Sequence, residues 1–174
     1  MSEKSGKLIA VWGAPHSGKT TFAASLATAI ADTYASATVI VLHSDIEAPM
    51  LSVLFPNAKS GSLGSVGIPL SANEPDTEQI LANCTETKAR PMLAVIGYRD
   101  GDTRLTYPRY GKERAVELFE KLKSLADFVI VDCMSNPNES LLSLAALETA
   151  SQTVRLCTPE PVSYKHLRAH ETRE

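Results

Sequence analysis

Eight consecutive residues, Gly13-Ala14-Pro15-His16-Ser17-Gly18-Lys19-Thr20, fit the phosphate-loop pattern G-x-x-x-x-G-K-[ST] at every fixed position. The pattern carries a mechanism only between a strand and a helix. Both neighbours are present: Leu8-Ile9-Ala10-Val11-Trp12 is an apolar run of buried-strand length, and in residues 21–31 Phe22, Leu26 and Ile30 recur at helical spacing. Such a loop turns backbone N–H groups inward, and the helix starting near Gly18 adds the positive end of its dipole, so polyphosphate is held largely by main chain. The candidate nucleotide-binding residues are therefore Gly13, Ala14, Pro15, His16, Ser17, Gly18, Lys19, Thr20 and the following Thr21. Lys19 would reach the outer phosphates, and the Thr20 hydroxyl would be one ligand of a Mg²⁺ that keeps most of its waters. Pro15 offers no N–H, and His16 stands where many such loops carry glycine.

Downstream, apolar runs alternate with helical patterns. Residues 38–43, 91–97, 128–132 and 153–157 read as strands; 76–83, the amphipathic stretch 112–125 and 138–150 read as helices. In 112–125, Val116, Phe119, Leu122 and Leu125 mark one face, and Glu117 and Lys121 stand in the favourable i,i+4 order. This alternation predicts an α/β fold of three layers, a mainly parallel sheet with helices on both faces. Two strand ends carry acids. Asp45 follows the strand at 38–43, where open α/β sheets place their ligands, although taken alone a turn or cap carboxylate before residues 50–55 is the favoured reading. Asp132 closes Phe128-Val129-Ile130-Val131 and is the candidate acid for a Mg²⁺-bound water beside Thr20. Residues 56–75, rich in Gly, Pro and Ser, read as loop without chemistry. The segment 98–110 interleaves three arginines with three tyrosines; a surface loop is favoured there over base stacking or phosphate contact.

The 174 residues suit one domain. A net charge of -3 supplies no global pull toward nucleic acid or an anionic membrane. Cys84, Cys133 and Cys157 match neither a metal spacing nor a disulfide framework, which with the polar N-terminus points to a reducing cytoplasm.

The phosphate loop at 13–20, the strand and Asp45, the run 128–132 and the stretch from Ala150 to Pro161 together resemble the MinD/ParA family of P-loop NTPases, which place and partition cellular cargo. The likeness spans roughly residues 7–162, with a closer resemblance to the CpaE/TadZ branch linked to pilus assembly and localisation. It implies Mg-ATP binding, slow hydrolysis, and a homodimer formed on ATP binding. By position, Lys19 binds the phosphates, Thr20 ligates Mg²⁺, Asp45 orients the attacking water and Asp132 is the acid near the metal. Two residues depart from the pattern: Ala14 replaces a signature lysine that normally reaches the partner's nucleotide, and His43 replaces the first aspartate of an Asp-x-Asp pair. His43 reads either as a pH-sensitive substitute near the phosphates or as a neutral strand-end residue. Family members run longer, so residues 1–162 are expected to be an incomplete nucleotide-binding domain. Residues 163–174, which resemble translated adapter sequence, are expected to be non-native. The rival readings are a P-loop kinase acting on a small molecule and a non-hydrolysing nucleotide-binding scaffold.

Overall fold

The computed structural model describes residues 5–58 and 61–159, so the tail at 163–174 and its expected origin lie outside the described residues. Among the described residues, six strands form one sheet in the order β3-β4-β2-β5-β1-β6. They are β1 (Lys7–Gly13), β2 (Val39–His43), β3 (Thr85–Thr87), β4 (Arg90–Gly97), β5 (Phe128–Asp132) and β6 (Gln152–Leu156). All pair in parallel except β3, which runs antiparallel to β4. Central β2 is buried at every residue, as a parallel strand covered on both faces must be.

The helices are α1 (Lys19–Thr33), α2 (Leu51–Leu54), α3 (Gly67–Ser71), α4 (Thr77–Ala82), α5 (Lys112–Leu125) and α6 (Leu141–Thr149). One face of the sheet packs Val39, Val41 and Ile130 against Ala23 and Ala27 of α1, whose small side chains let the helix approach closely. The other packs Ile40, Leu42, Val129 and Val131 against Phe119 and Leu122 of α5 and Ala145 and Ala146 of α6. Each large side chain fully buried here, Phe119 and Ile130 among them, contributes about 1.5–3 kcal/mol. The expected three-layer α/β arrangement is the observed one.

Several boundaries differ from expectation. The 56–75 stretch contains α3, because Val66, Pro69 and Leu70 bury against the α5 side of the sheet and fix a helical turn that its Gly and Pro content concealed. The helix expected over 138–150 begins at Leu141; Pro137–Glu139 is a 3-10 turn, and the Ser140 hydroxyl caps α6 by accepting from Ser143 N at 3.2 Å. On α5 the buried face is Ala115, Leu118, Phe119 and Leu122, and the ion pairs are Arg114–Glu117 and Lys123–Glu120 rather than Glu117–Lys121. Asp76 occupies the N-cap position of α4, but its side chain makes no capping bond. Segment 98–110 is loop, as favoured, yet Tyr98 and Asp102 on it are buried. No helix among the described residues is long and apolar enough to cross a membrane.

Candidate functional site

The carboxyl ends of β1, β2 and β5 lie side by side, with β5 between the other two, and bring the loop 13–20, His43, Asp45 and Asp132 to one edge of the sheet. The loop leaves β1 at Gly13, whose φ of 152° and close packing on the Leu156 carbonyl leave no room for a Cβ. His16 and Gly18 both adopt left-handed backbone, with φ of 59° and 84°. For Gly18 this costs nothing; for His16 it is a strained choice. Helix α1 then starts with no side-chain cap and no acidic residue in its first turn, which leaves its first N–H groups and positive dipole end for an anion.

Lys19 is buried, and its ammonium donates to Ala14 O at 3.1 Å and Ser135 Oγ at 2.8 Å. Burial pushes its pKa below the ordinary lysine value, opposed by the nearby charges of Asp132 and Asp45. Beside it the Thr20 hydroxyl donates to Asp132 Oδ2 at 2.7 Å. His43 Nδ1 lies 2.9 Å from the same oxygen. A carboxylate only accepts, so Nδ1 is the nitrogen that carries a hydrogen in this pair. Oδ2 is thus taken by two donors, while Asp132 Oδ1, His43 Nε2 and Ser17 Oγ are buried without a partner among the described residues. Three orphaned polar atoms around one loop are costly unless water or a ligand satisfies them.

No protein-family model matches the chain, and no curated protein matches it in sequence. Solved structures do match. The septum site-determining protein MinD of Pyrococcus horikoshii OT3, complexed with Mg-ADP, superposes with a TM-score of 0.72 at 15% identity, over 96% of this chain and 64% of that one. The cell division ATPase MinD of Pyrococcus furiosus gives 0.70 at 18% identity, covering 96% and 68%. Cobyrinic acid a,c-diamide synthase of Mycobacterium smegmatis, with bound ADP and magnesium, gives 0.66 at 18%, covering 95% and 67%. The fold is that of MinD-like P-loop ATPases. This chain spans slightly less than two thirds of the first of these structures.

In this MinD-like frame most of the residues singled out by sequence come together. Gly13, Ala14 and Lys19 are buried, and Pro15, His16 and Gly18 form an exposed rim. Thr21 is exposed on the first turn of α1, one residue beyond Thr20. Asp45 is half-buried at the end of β2, where its Oδ1 accepts from Glu47 N at 2.9 Å and Ala48 N at 3.0 Å. Its turn role, weighed from the sequence, is therefore real, and the same bonds fix the carboxylate at the mouth of the site.

Two partners escaped the sequence. Ser135 holds Lys19 from the loop after β5, and nothing in Cys133-Met134-Ser135 marks it. His43 was visible as a departure from pattern, but its bond to Asp132 depends on the β2–β5 register, which sets the two residues directly opposite. Behind them, Ser44 Oγ donates to Asp132 O at 3.0 Å and meets Ser143 Oγ at 2.8 Å, and Met134 N donates to both hydroxyls. These bonds tie the ends of β2 and β5 to α6. Cys133, also buried there, has its thiol pushed up to about 12 by desolvation and stays a protonated packing group.

Proposed function

We propose that the chain binds Mg-ATP at residues 13–21 and acts as a slowly hydrolysing, nucleotide-dependent switch in localisation, partitioning or pilus assembly. The observation that carries this reading is the Thr20–Asp132 bond beside the unpartnered Asp132 Oδ1, at the uncapped start of α1. A hydroxyl and one carboxylate suit Mg²⁺, which takes few protein ligands and completes its shell with water and phosphate oxygens. Thr20 and Asp132 would hold it, and when bound it would neutralise charge on the outer phosphates.

The remaining roles belong to the chain. Backbone N–H groups of the loop and of α1 bind phosphate oxygens. Lys19 exchanges its bonds to Ala14 O and Ser135 Oγ for phosphate oxygens, in a buried setting that strengthens the attraction. Asp45, held by its turn, orients a water at the β2 end. His43 and Thr20 hold Asp132 in one rotamer. The chemistry is positioning and charge stabilisation for phosphoryl transfer to water.

The switch reading takes a homodimer formed on ATP binding and a protein partner as its output, and a cytoplasmic setting. Ala14, 4% exposed at the position of the signature lysine, favours one rival: a scaffold that binds nucleotide without turnover.

Calorimetry with Mg-ATP and Mg-GTP on this chain and on Lys19→Ala, with mass measured with and without ATP, tests the reading. Micromolar ATP binding, about -8 kcal/mol, that is lost in Lys19→Ala is the expected result. A folded chain that binds no nucleotide would overturn it. Binding without phosphate release over hours would select the scaffold.

A further inference from the structure

A cavity of about 360 Å³ opens between the segments that follow β2 and β5 and under the loop 98–110. Its walls include the rings of Tyr98, Tyr107 and Tyr110 with Leu141, and Arg104, Arg109 and Glu139 line it. The cavity has the size and the largely apolar lining of a small-molecule site.

Its walls are set by internal bonds. Asp102, buried under the loop, accepts from Ser65 Oγ at 2.6 Å, Arg99 N at 2.9 Å and Tyr107 OH at 3.0 Å. Tyr107 in turn lies against Gly67, where a Cβ would strike its ring. Tyr98 and Tyr110 share a hydroxyl contact of 3.3 Å. Burial raises both phenols above the ordinary tyrosine value, so these walls stay neutral.

Two arginines and two glutamates meet here, and their pairing is uneven. Arg104 spans the two segments, 3.0 Å from Glu47 and 3.5 Å from Glu139, and is matched by them. Arg109 has no ion pair or hydrogen bond among the described residues. Both carboxylates are drawn to Arg104, so the Arg109 guanidinium keeps its donors free beside three aromatic rings and suits a flat, singly charged anion. A carboxylate meets the planar fork of arginine with two parallel hydrogen bonds, and a phosphate dianion would leave negative charge over.

We propose that this cavity is a second ligand site, separate from the phosphate loop, for a small aromatic carboxylate anchored on Arg109 and packed among Tyr98, Tyr107 and Tyr110. The proposal does not rest on the nucleotide reading, and its test contains no nucleotide in the first arm.

The test titrates the full chain with 4-hydroxyphenylacetate and indole-3-acetate, and with the amide of each, followed by saturation-transfer NMR and calorimetry. Each acid is expected to bind about tenfold or more tightly than its amide, the worth of one charge-assisted hydrogen bond. Arg109→Gln should bring the acid down to the amide's affinity, and Leu141→Trp, which fills the cavity, should remove both. The wild-type acid–amide comparison decides the matter even if a variant folds poorly. The proposal is overturned if neither acid binds, if acid and amide bind alike, or if Arg109→Gln leaves the acid unaffected. In a second arm Mg-ADP is added. Retained acid binding supports a separate site, and one-for-one displacement overturns it.

Discussion

His43 Nδ1 sits 2.9 Å from Asp132 Oδ2, in a buried pair set directly across the β2–β5 ladder. With the Thr20 hydroxyl on the same oxygen, the carboxylate is held by two donors, and Oδ1 is left for another partner. The pair makes His43 a positioning residue. The amide nitrogen of Asn can occupy the place of Nδ1, whereas Ala leaves Asp132 on Thr20 alone. His43→Asn is expected to keep near-normal stability and Mn²⁺ affinity in the presence of ADP. His43→Ala should lose about 1–3 kcal/mol in urea unfolding. It should also need more Mn²⁺ for half-saturation, read by EPR. Equal Mn²⁺ affinity in both variants would remove the positioning role.

Lys19 gives a pH prediction whose sign is opposite to that of a paired lysine. Burial lowers its folded-state pKa below 10.5, so between that lowered value and 10.5 the unfolded chain holds more protons. Stability therefore rises with pH through that window, and at neutral pH the buried ammonium is a full cost. Lys19→Met should melt at a higher temperature than the parent at pH 7 while binding no ATP, and the gap should narrow as the pH nears 10.5. A parent chain more stable than Lys19→Met at pH 7 would contradict this. On the proposed reading, function at Lys19 is held against stability.

The left-handed His16 supplies a backbone test. Asn visits this region readily and Gly without cost, but a β-branched residue does not. His16→Asn and His16→Gly should fold as well as the parent, and His16→Val should lose about 1–3 kcal/mol in a denaturant titration. Equal midpoints for Val and Asn would show that the loop relaxes.

Asp102 tests the loop over the cavity. Ser65→Ala removes its shortest hydrogen bond and leaves a buried carboxylate short of a donor. A loss of about 1–3 kcal/mol is expected. Faster amide exchange should accompany it in residues 98–107 and not in β5.

The layers, the strand order's parallel character and the phosphate loop were readable because each rests on local pattern: β-branched runs, helical spacing, and a Gly-Lys-Thr motif in its strand–helix setting. What escaped depended on distant partners. Strand β3 is three residues long, too short for a period, and exists because β4 offers it an edge. Helix α3 is helical through burial of Val66 and Leu70, against its composition. Around the loop, the motif singled out Lys19 and Thr20 and the strand end singled out Asp132, but nothing marked Ser135, which meets Lys19 from 116 positions away. Asp45 was legible only as two alternatives, because its turn and its place at the mouth of the site use the same residue.

Gly13 lies flat on the Leu156 carbonyl, at the point where β1 leaves the sheet and its neighbour β6 is the last strand in the order. The first bend of the phosphate loop is thus moulded by the rim of the sheet rather than by the loop's own residues. Whatever lies along the outer side of β6 leans on that bend through a single layer of backbone. A surface that looks remote from the proposed site is, in mechanical terms, its back wall.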